Sequence, residues 1–156
     1  MSPAWRPNDS LLERNSKGEL KGGRRVRDAL QKHGLKYGNR IVTSRDRGME
    51  AVKKDLKRTP MPPGVQQWQL PVALGAGGET LCFMSQYQPG AKVPTHSHPH
   101  ALFRVVIEGS VKHRRTTLKS GDWMLVPPGQ RYALQAGTDG CIILYAHWPW
   151  PPPWWP

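Results

Sequence analysis

The sequence predicts an all-β fold, a small sandwich or barrel, behind a basic, partly helical N-terminal extension. Three observations point there. From Gln66 onward, short apolar runs alternate with Gly- and Pro-bearing turns, the pattern of many short strands closing on themselves. Apolar residues at helical spacing occur only before Pro60. The charge divides at the same place: residues 1–60 hold 16 Lys/Arg against 7 Asp/Glu, whereas residues 61–156 hold 7 against 4, out of a formal net charge of +12. A basic excess of this kind predicts attraction to polyanions and says nothing about fold.

Taken in order, residues 1–23 are polar, with Pro3, Pro7, Gly18, Gly22 and Gly23, and read as disordered. "RRVRDALQKHG" sets Val26, Ala29 and Leu30 on one stripe and stops at Gly34, which predicts a short helix. "GMEAVKKDLKR" does the same with Met49, Val52 and Leu56 ahead of Pro60. Both stripes are narrow, so each helix needs a surface to dock on. "TPMPPG", 59–64, reads as a hinge. Strands are expected at 66–73, 79–87, 102–107, 111–118, 122–126, 131–135 and 141–146, with turns at "GAGG", "QPG", "EGS", "KSG", "PPG" and "GTDG". "KHRRTTLK", 112–119, reads as a basic hairpin. The closing "HWPWPPPWWP" is too proline-dense for helix or central strand and predicts an extended tail. The expected division is therefore an extension over 1–60, a barrel over 61–147 and a Pro/Trp-rich tail over 148–156.

Composition narrows the setting. No apolar run reaches the roughly 18 residues of a membrane span. "MSPAWRPNDS" lacks the apolar centre of a signal peptide. Cys82 and Cys141 form no CxxC, so a cytoplasmic protein with two free thiols is the expectation, a disulfide being left open by spacing alone. "LGAGGE" lacks the Lys-Ser/Thr ending of a phosphate loop and reads as a turn.

The chemistry concentrates in "GAKVPTHSHPHALFRVVIEG", Gly90–Gly109, which places His96, His98 and His100 within five residues. If 95–98 is extended, as expected before Pro99, His96 and His98 point to one face. Two imidazoles on one face can share a metal ion; imidazole suits Zn, Cu, Fe and Ni. The competing reading is a pair of loop histidines bonded to water and backbone. His100 has the same parity and is a third candidate ligand, unless Pro99 turns its ring elsewhere. Arg104 shares parity with Leu102 and would face an interior, where it suits an anionic ligand and repels a divalent cation; the alternative is that it reaches solvent. His147 follows the last strand and could reach a barrel mouth; the favoured reading is a solvent-facing tail residue.

The spacing of these residues resembles the cupin superfamily. Gly90, five residues, His96-Ser97-His98 and a later Gly109 are similar to its first motif; Gly121, five residues, then Pro127-Pro128-Gly129 are similar to its second. The resemblance spans roughly residues 66–147. It implies a double-stranded β-helix, or jelly-roll barrel, with metal or ligand inside and a homodimeric assembly. It also exposes departures. The motif's glutamate falls on Leu102 or Phe103, its second-motif histidine on Tyr132 and its asparagine on Ala136. Two of the four usual ligands, His96 and His98, remain, with Leu102, Arg104, Tyr132 and Trp123 as expected pocket residues, Trp123 more structural than catalytic. A divalent metal (Fe, Mn, Ni, Zn or Cu) is implied by the family, and a neutral phenol more often hydrogen-bonds than ligates.

Three functions follow as expectations. One is a metal- or small-molecule-binding module, in a sensor role. Another is a cupin metalloenzyme, of dioxygenase or isomerase type, using His96 and His98. The last is a nucleic-acid-associated regulator whose Arg24, Arg25, Arg27, Lys53 and Lys54 meet phosphates. A small-molecule ligand and a second copy of the chain are the expected partners, and a membrane is not. The fold alone does not choose among these.

Overall fold

A computed structural model describes residues 5–74 and 80–148. The turn expected at 75–78 and the tail beyond Trp148 lie outside the described residues. The chain runs through a 3-10 turn (Ser10–Leu12), α1 (Lys21–Lys32), α2 (Met49–Asp55), β1 (Val65–Leu74), β2 (Thr80–Tyr87), β3 (Lys92–His96), β4 (Ala101–His113), β5 (Thr116–Lys119), β6 (Trp123–Val126) and β7 (Tyr132–Trp148). Every strand pairing is antiparallel, in the order β1-β2-β7-β4-β5, with β3 on β7 and β6 on β4.

Two long strands replace four expected short ones. "EGS" and "GTDG" read as chain reversals, yet β4 passes through the first and β7 through the second. The reason is the glycine pair Gly109 and Gly140, both at positive φ (75° and 72°). A Cβ on Gly109 would lie 2.1 Å from the Gly140 carbonyl oxygen. Only glycine permits that approach and that backbone, and it bends the ladder without ending it. The register shifts between Val106/Glu108 and Gly109/Val111 are the accompanying bulges. As a result β7 reaches β3 with its first half and β2 with its second, and the sheet wraps around one core. The expected hairpin at 112–119 is present, turning at Arg114 with φ 53°.

Burial follows the strand period. On β4, Leu102, Arg104 and Val106 point inward; on β7, Tyr132, Leu134 and Ala136 do so before the bend, and Cys141, Ile143, Tyr145 and His147 after it. Both cysteines are free thiols. Burial pushes the Cys141 thiol up to about 11, against the pull of the Arg104 charge, so it behaves as a small core residue.

The N-terminal third is docked, not loose. Residues expected to be disordered form the 3-10 turn and an Arg14–Leu20 bridge, and Leu12 and Leu20 join the barrel core with Leu81 and Phe83. The helical stripes meet each other: Val26, Ala29 and Leu30 of α1 pack with Met49, Val52 and Leu56 around α2. α1 begins at Lys21, three residues ahead of the expected start, because Gly22 sits against the sheet and its carbonyl accepts from Gln69 Nε2 at 2.9 Å. After α2, Lys57 pairs with Trp68, so the extension covers the outer edge of β1.

Candidate ligand-binding site

His96 ends β3 and is paired across the sheet with Tyr132, the first residue of β7. Its Nδ1–H donates to the Pro94 carbonyl at 2.7 Å, which leaves Nε2 with a lone pair. His98 donates from Nδ1 to Asp9 Oδ1 at 2.7 Å, and its Nε2 is buried without a partner. The two rings stand edge to face with centroids 4.9 Å apart, and the Tyr132 ring lies 4.5 Å from His96. His96 and His98 therefore converge as their spacing predicts.

Arg104 occupies the same cavity. It is 6 % exposed, and its Nη2 donates to Tyr132 Oη at 2.7 Å. Its carbon Cζ lies 4.6 Å from the Tyr145 ring centroid, a cation–π contact. Nε and Nη1 have no partner. Burial acts to lower its pKa; the nearby Tyr132, Tyr87 and Tyr145 outweigh it and leave the guanidinium raised. The charge is permanent at working pH, and the neutral phenols supply dipoles, not a counter-charge. A buried cation without an ion partner is costly, on the order of several kcal/mol.

The rest of the wall comes from residues that spacing did not flag. Arg58 Nη1 donates to Gln67 Oε1 at 2.9 Å and to Tyr145 Oη at 3.2 Å. Behind the wall, His147 stands with its ring 6.1 Å from that of His98; it is 5 % exposed, with Nδ1 buried and unpartnered, not the solvent-facing residue expected. The N-terminal segment closes the mouth: Trp5 Nε1 donates to the Pro60 carbonyl at 3.0 Å and its ring stands 5.2 Å from His96, while Arg58 donates to the Asn8 carbonyl. Asp9, on this segment, is 89 residues from His98 in sequence, and no local motif marks such a pair. The enclosed space is small, about 30 Å³ measured to water centres, room for roughly two waters.

Burial also sets the protonation of the rings. It pushes His96 down to about 4, against the bond to Pro94 and with help from His98 and Arg104. Burial pushes His147 further, to about 2, with His98, His100 and Arg104 adding to it. Both are neutral at pH 7.

Other expected site residues lie elsewhere. Leu102 is fully buried, paired with Val126 and His147, and offers no donor. His100 is exposed, its ring 6.1 Å from His147. Trp123 is not in the pocket: it pairs with Val105, one residue out of phase with Arg104, and is 62 % exposed beside Phe103 on the outer face. The basic residues of the extension are largely committed. Arg24 lies 3.7 Å from Asp28 and Arg27 3.1 Å from Glu19. Arg25 donates to the Asp55 and Lys57 carbonyls at the end of α2. Lys53 sits 4.3 Å above the Trp68 ring, and Lys54 is exposed.

The donor set can be tested against the divalent metal that the cupin motifs imply. In its favour, both Nδ1 atoms are anchored and both Nε2 lone pairs are available, as ligating imidazoles require. Against it, Leu102 supplies nothing, Tyr132 Oη is engaged by Arg104, and the one carboxylate lining the cavity among the described residues, Asp9, faces His98 Nδ1. Among the described residues no three His, Cys, Asp or Glu side chains gather at metal-binding separation. Two neutral ligands beside a fixed guanidinium do not fit a divalent cation.

A family model described as the ChrR cupin-like domain matches residues 49–151. No curated protein matches. Among solved structures, a chain of the Rhodobacter sphaeroides SigE complex with the anti-sigma ChrR is 19% identical, with a TM-score of 0.51 over 82% of this chain and 76% of that one. A protein of unknown function from Rhizobium leguminosarum is 18% identical, with a TM-score of 0.51 over 72% of this chain and 99% of that one. An RmlC-like cupin from Shewanella frigidimarina is 23% identical, with a TM-score of 0.48 over 56% and 78%. At these identities the likeness concerns the fold, and the fold is the cupin barrel expected from the motifs. Among the described residues no helix is long and apolar enough to cross a membrane.

Proposed function

Since the chain belongs to the ChrR cupin-like domain family, we propose that it is a ligand-binding cupin, whose cavity takes a small molecule where other cupins hold a metal ion. One observation carries this reading. His98 Nε2 and Arg104 Nε and Nη1 are buried without a partner in the wall of one cavity, and His147 Nδ1 is likewise unpartnered on a ring 6.1 Å from that of His98. Buried polar groups are nearly always satisfied, so a cluster of exceptions marks a place for an occupant. The chain's own residues would bind and orient it: Arg104 as a fixed cation, His96 and His98 as acceptors through Nε2, and Trp5–Asp9 as a cover that excludes water. The experiment is elemental analysis of the purified full chain alongside a fragment screen read by thermal shift. Sub-stoichiometric metal with His96- and Arg104-dependent stabilisation by fragments is the expected result. One tightly held metal per chain would overturn it in favour of the second reading, a metalloenzyme, which the anchored Nδ1 atoms of His96 and His98 favour.

A sensor role for a protein partner is part of the proposal. The family is defined on ChrR, and the matched ChrR structure is a complex with a sigma factor. Here the docked α1 and α2 would report occupancy, since Arg58 links the cavity to the segment that follows α2. The nucleic-acid reading is weaker, because most of its side chains are committed within the extension. A homodimer through the outer face around Trp123, Ile107 and Phe103 also belongs to the proposal, and light scattering of a Trp123→Glu variant tests it.

A further inference from the structure

Resting on the binding-pocket reading, we infer that the occupant is an anion, the carboxylate group of a small organic acid held by Arg104. The cavity lining contains two guanidinium groups, Arg58 and Arg104, and one carboxylate, Asp9. Asp9 is spent on His98, 2.7 Å away. No ion pair to Arg104 exists among the described residues, and its Nε and Nη1, which carry three N–H groups, have no acceptor. What the site lacks is therefore a negative charge with several lone pairs, which is the description of a carboxylate.

One neighbouring group, the Tyr132 phenol, agrees with that assignment; the Nε2 lone pairs of His96 and His98 do not, since a carboxylate has no proton to give them. Tyr132 Oη accepts from Arg104 Nη2 and so keeps its own hydroxyl proton free to donate. Size then sets the class. The enclosed space fits a group of only a few heavy atoms, so an acetate-sized anion is the largest it holds with Trp5 in place. A longer acid has to displace Trp5 from Pro60 and His96, and its remaining atoms would take the place of that segment.

The experiment uses the full chain at pH 7. Calorimetry and thermal shift compare acetate with acetamide, its neutral counterpart of the same shape, with inorganic phosphate as a third arm. Acetate is expected to bind and raise the melting temperature with concentration; acetamide is not. Arg104→Gln should weaken acetate binding roughly 30-fold or more, as loss of one side of a buried charge pair does. Because removing a buried Arg104 also perturbs the fold, the native protein supplies a second readout: the ¹⁵N–¹H resonance of Arg104 Nε should shift on saturation with acetate. Equal binding of acetamide, an unmoved Nε resonance at saturating acetate, or binding of phosphate but not acetate would each overturn the inference. Neutral fragments that still bind through His96 would leave the pocket reading standing while the carboxylate inference fails.

Discussion

Adjacent glycines in α1 offer a test of whether the extension is part of the barrel. Gly22 and Gly23 both lie in the first turn of α1, and on sequence grounds Ala should improve either, by at most about 1 kcal/mol. The structure separates them. A Cβ on Gly22 would stand 2.2 Å from Leu81 Cδ1, 3.0 Å from the Leu11 carbonyl oxygen and 3.3 Å from Gln69 Nε2, whereas one on Gly23 meets nothing within 4 Å. Leu81 is fully buried in the core and cannot swing away. Overpacking of this kind costs about 1–3 kcal/mol, which outweighs the propensity gain. Gly22→Ala should therefore lower stability by about 1–2 kcal/mol, or roughly 2–8 °C in melting temperature for a chain of this size, while Gly23→Ala raises it slightly. Urea denaturation with a β-sheet signal measures both. If the two variants move stability in the same direction, α1 is not seated on the sheet, and the account of the extension as an outer layer of the barrel is wrong.

Four further outcomes are expected. A chain beginning at Pro62 removes Leu12 and Leu20 from the core and Arg58 from Tyr145; the two leucines alone are worth about 3–6 kcal/mol, so its melt should shift far down or lose cooperativity, and an unchanged melt by circular dichroism would contradict this. Stability should fall on acidification from pH 7 to 5, because His96 and His147 are held below the ordinary histidine value and the unfolded chain takes up their protons first. With His96 near 4 the loss reaches up to about 2 kcal/mol by pH 5, and a His96→Gln variant should show a flatter pH profile. Leu102→Glu with Tyr132→His should gain little zinc affinity by calorimetry, since the new carboxylate would pair with Arg104, and should gain it only when Arg104→Leu is added. Binding to DNA should be weak, with a steep salt dependence near −0.9 per phosphate contact on log–log axes, and insensitive to Arg25→Ala provided the fold is kept.

Much of the fold was legible because it rests on local rules. The alternation in β4 placed Leu102 and Arg104 on one inner face, and the helical stripes named the residues that later meet between α1 and α2. The His-x-His spacing brought His96 and His98 together. What local rules could not give was anything set by contact between distant segments. Nothing near "NDS" says that Asp9 will accept from His98, and nothing near "KRTP" says that Arg58 will meet Tyr145. The glycines at 109 and 140 were legible as glycines but not as partners, so two bent strands read as four straight ones. Trp123 was assigned inward from its motif position, while its register against Val105 puts it outside.

The replaced ligands form one change and not two. A cupin site built on histidines and a glutamate concentrates lone pairs and negative charge, and so attracts a cation. Here the glutamate position is Leu102, and two residues along the same inward face stands Arg104. The histidine position is Tyr132, whose oxygen binds that arginine and not an ion. Each substitution alone would leave a poor site of the old kind: a leucine beside three imidazoles, or a phenol beside a carboxylate. Together they reverse the sign of the charge the cavity is short of. His96, held down to about 4 by burial, is neutral at pH 7 and brings no charge of its own to the cavity. If Arg104 holds a carboxylate as proposed, the barrel that elsewhere cages a metal receives negative charge in this chain.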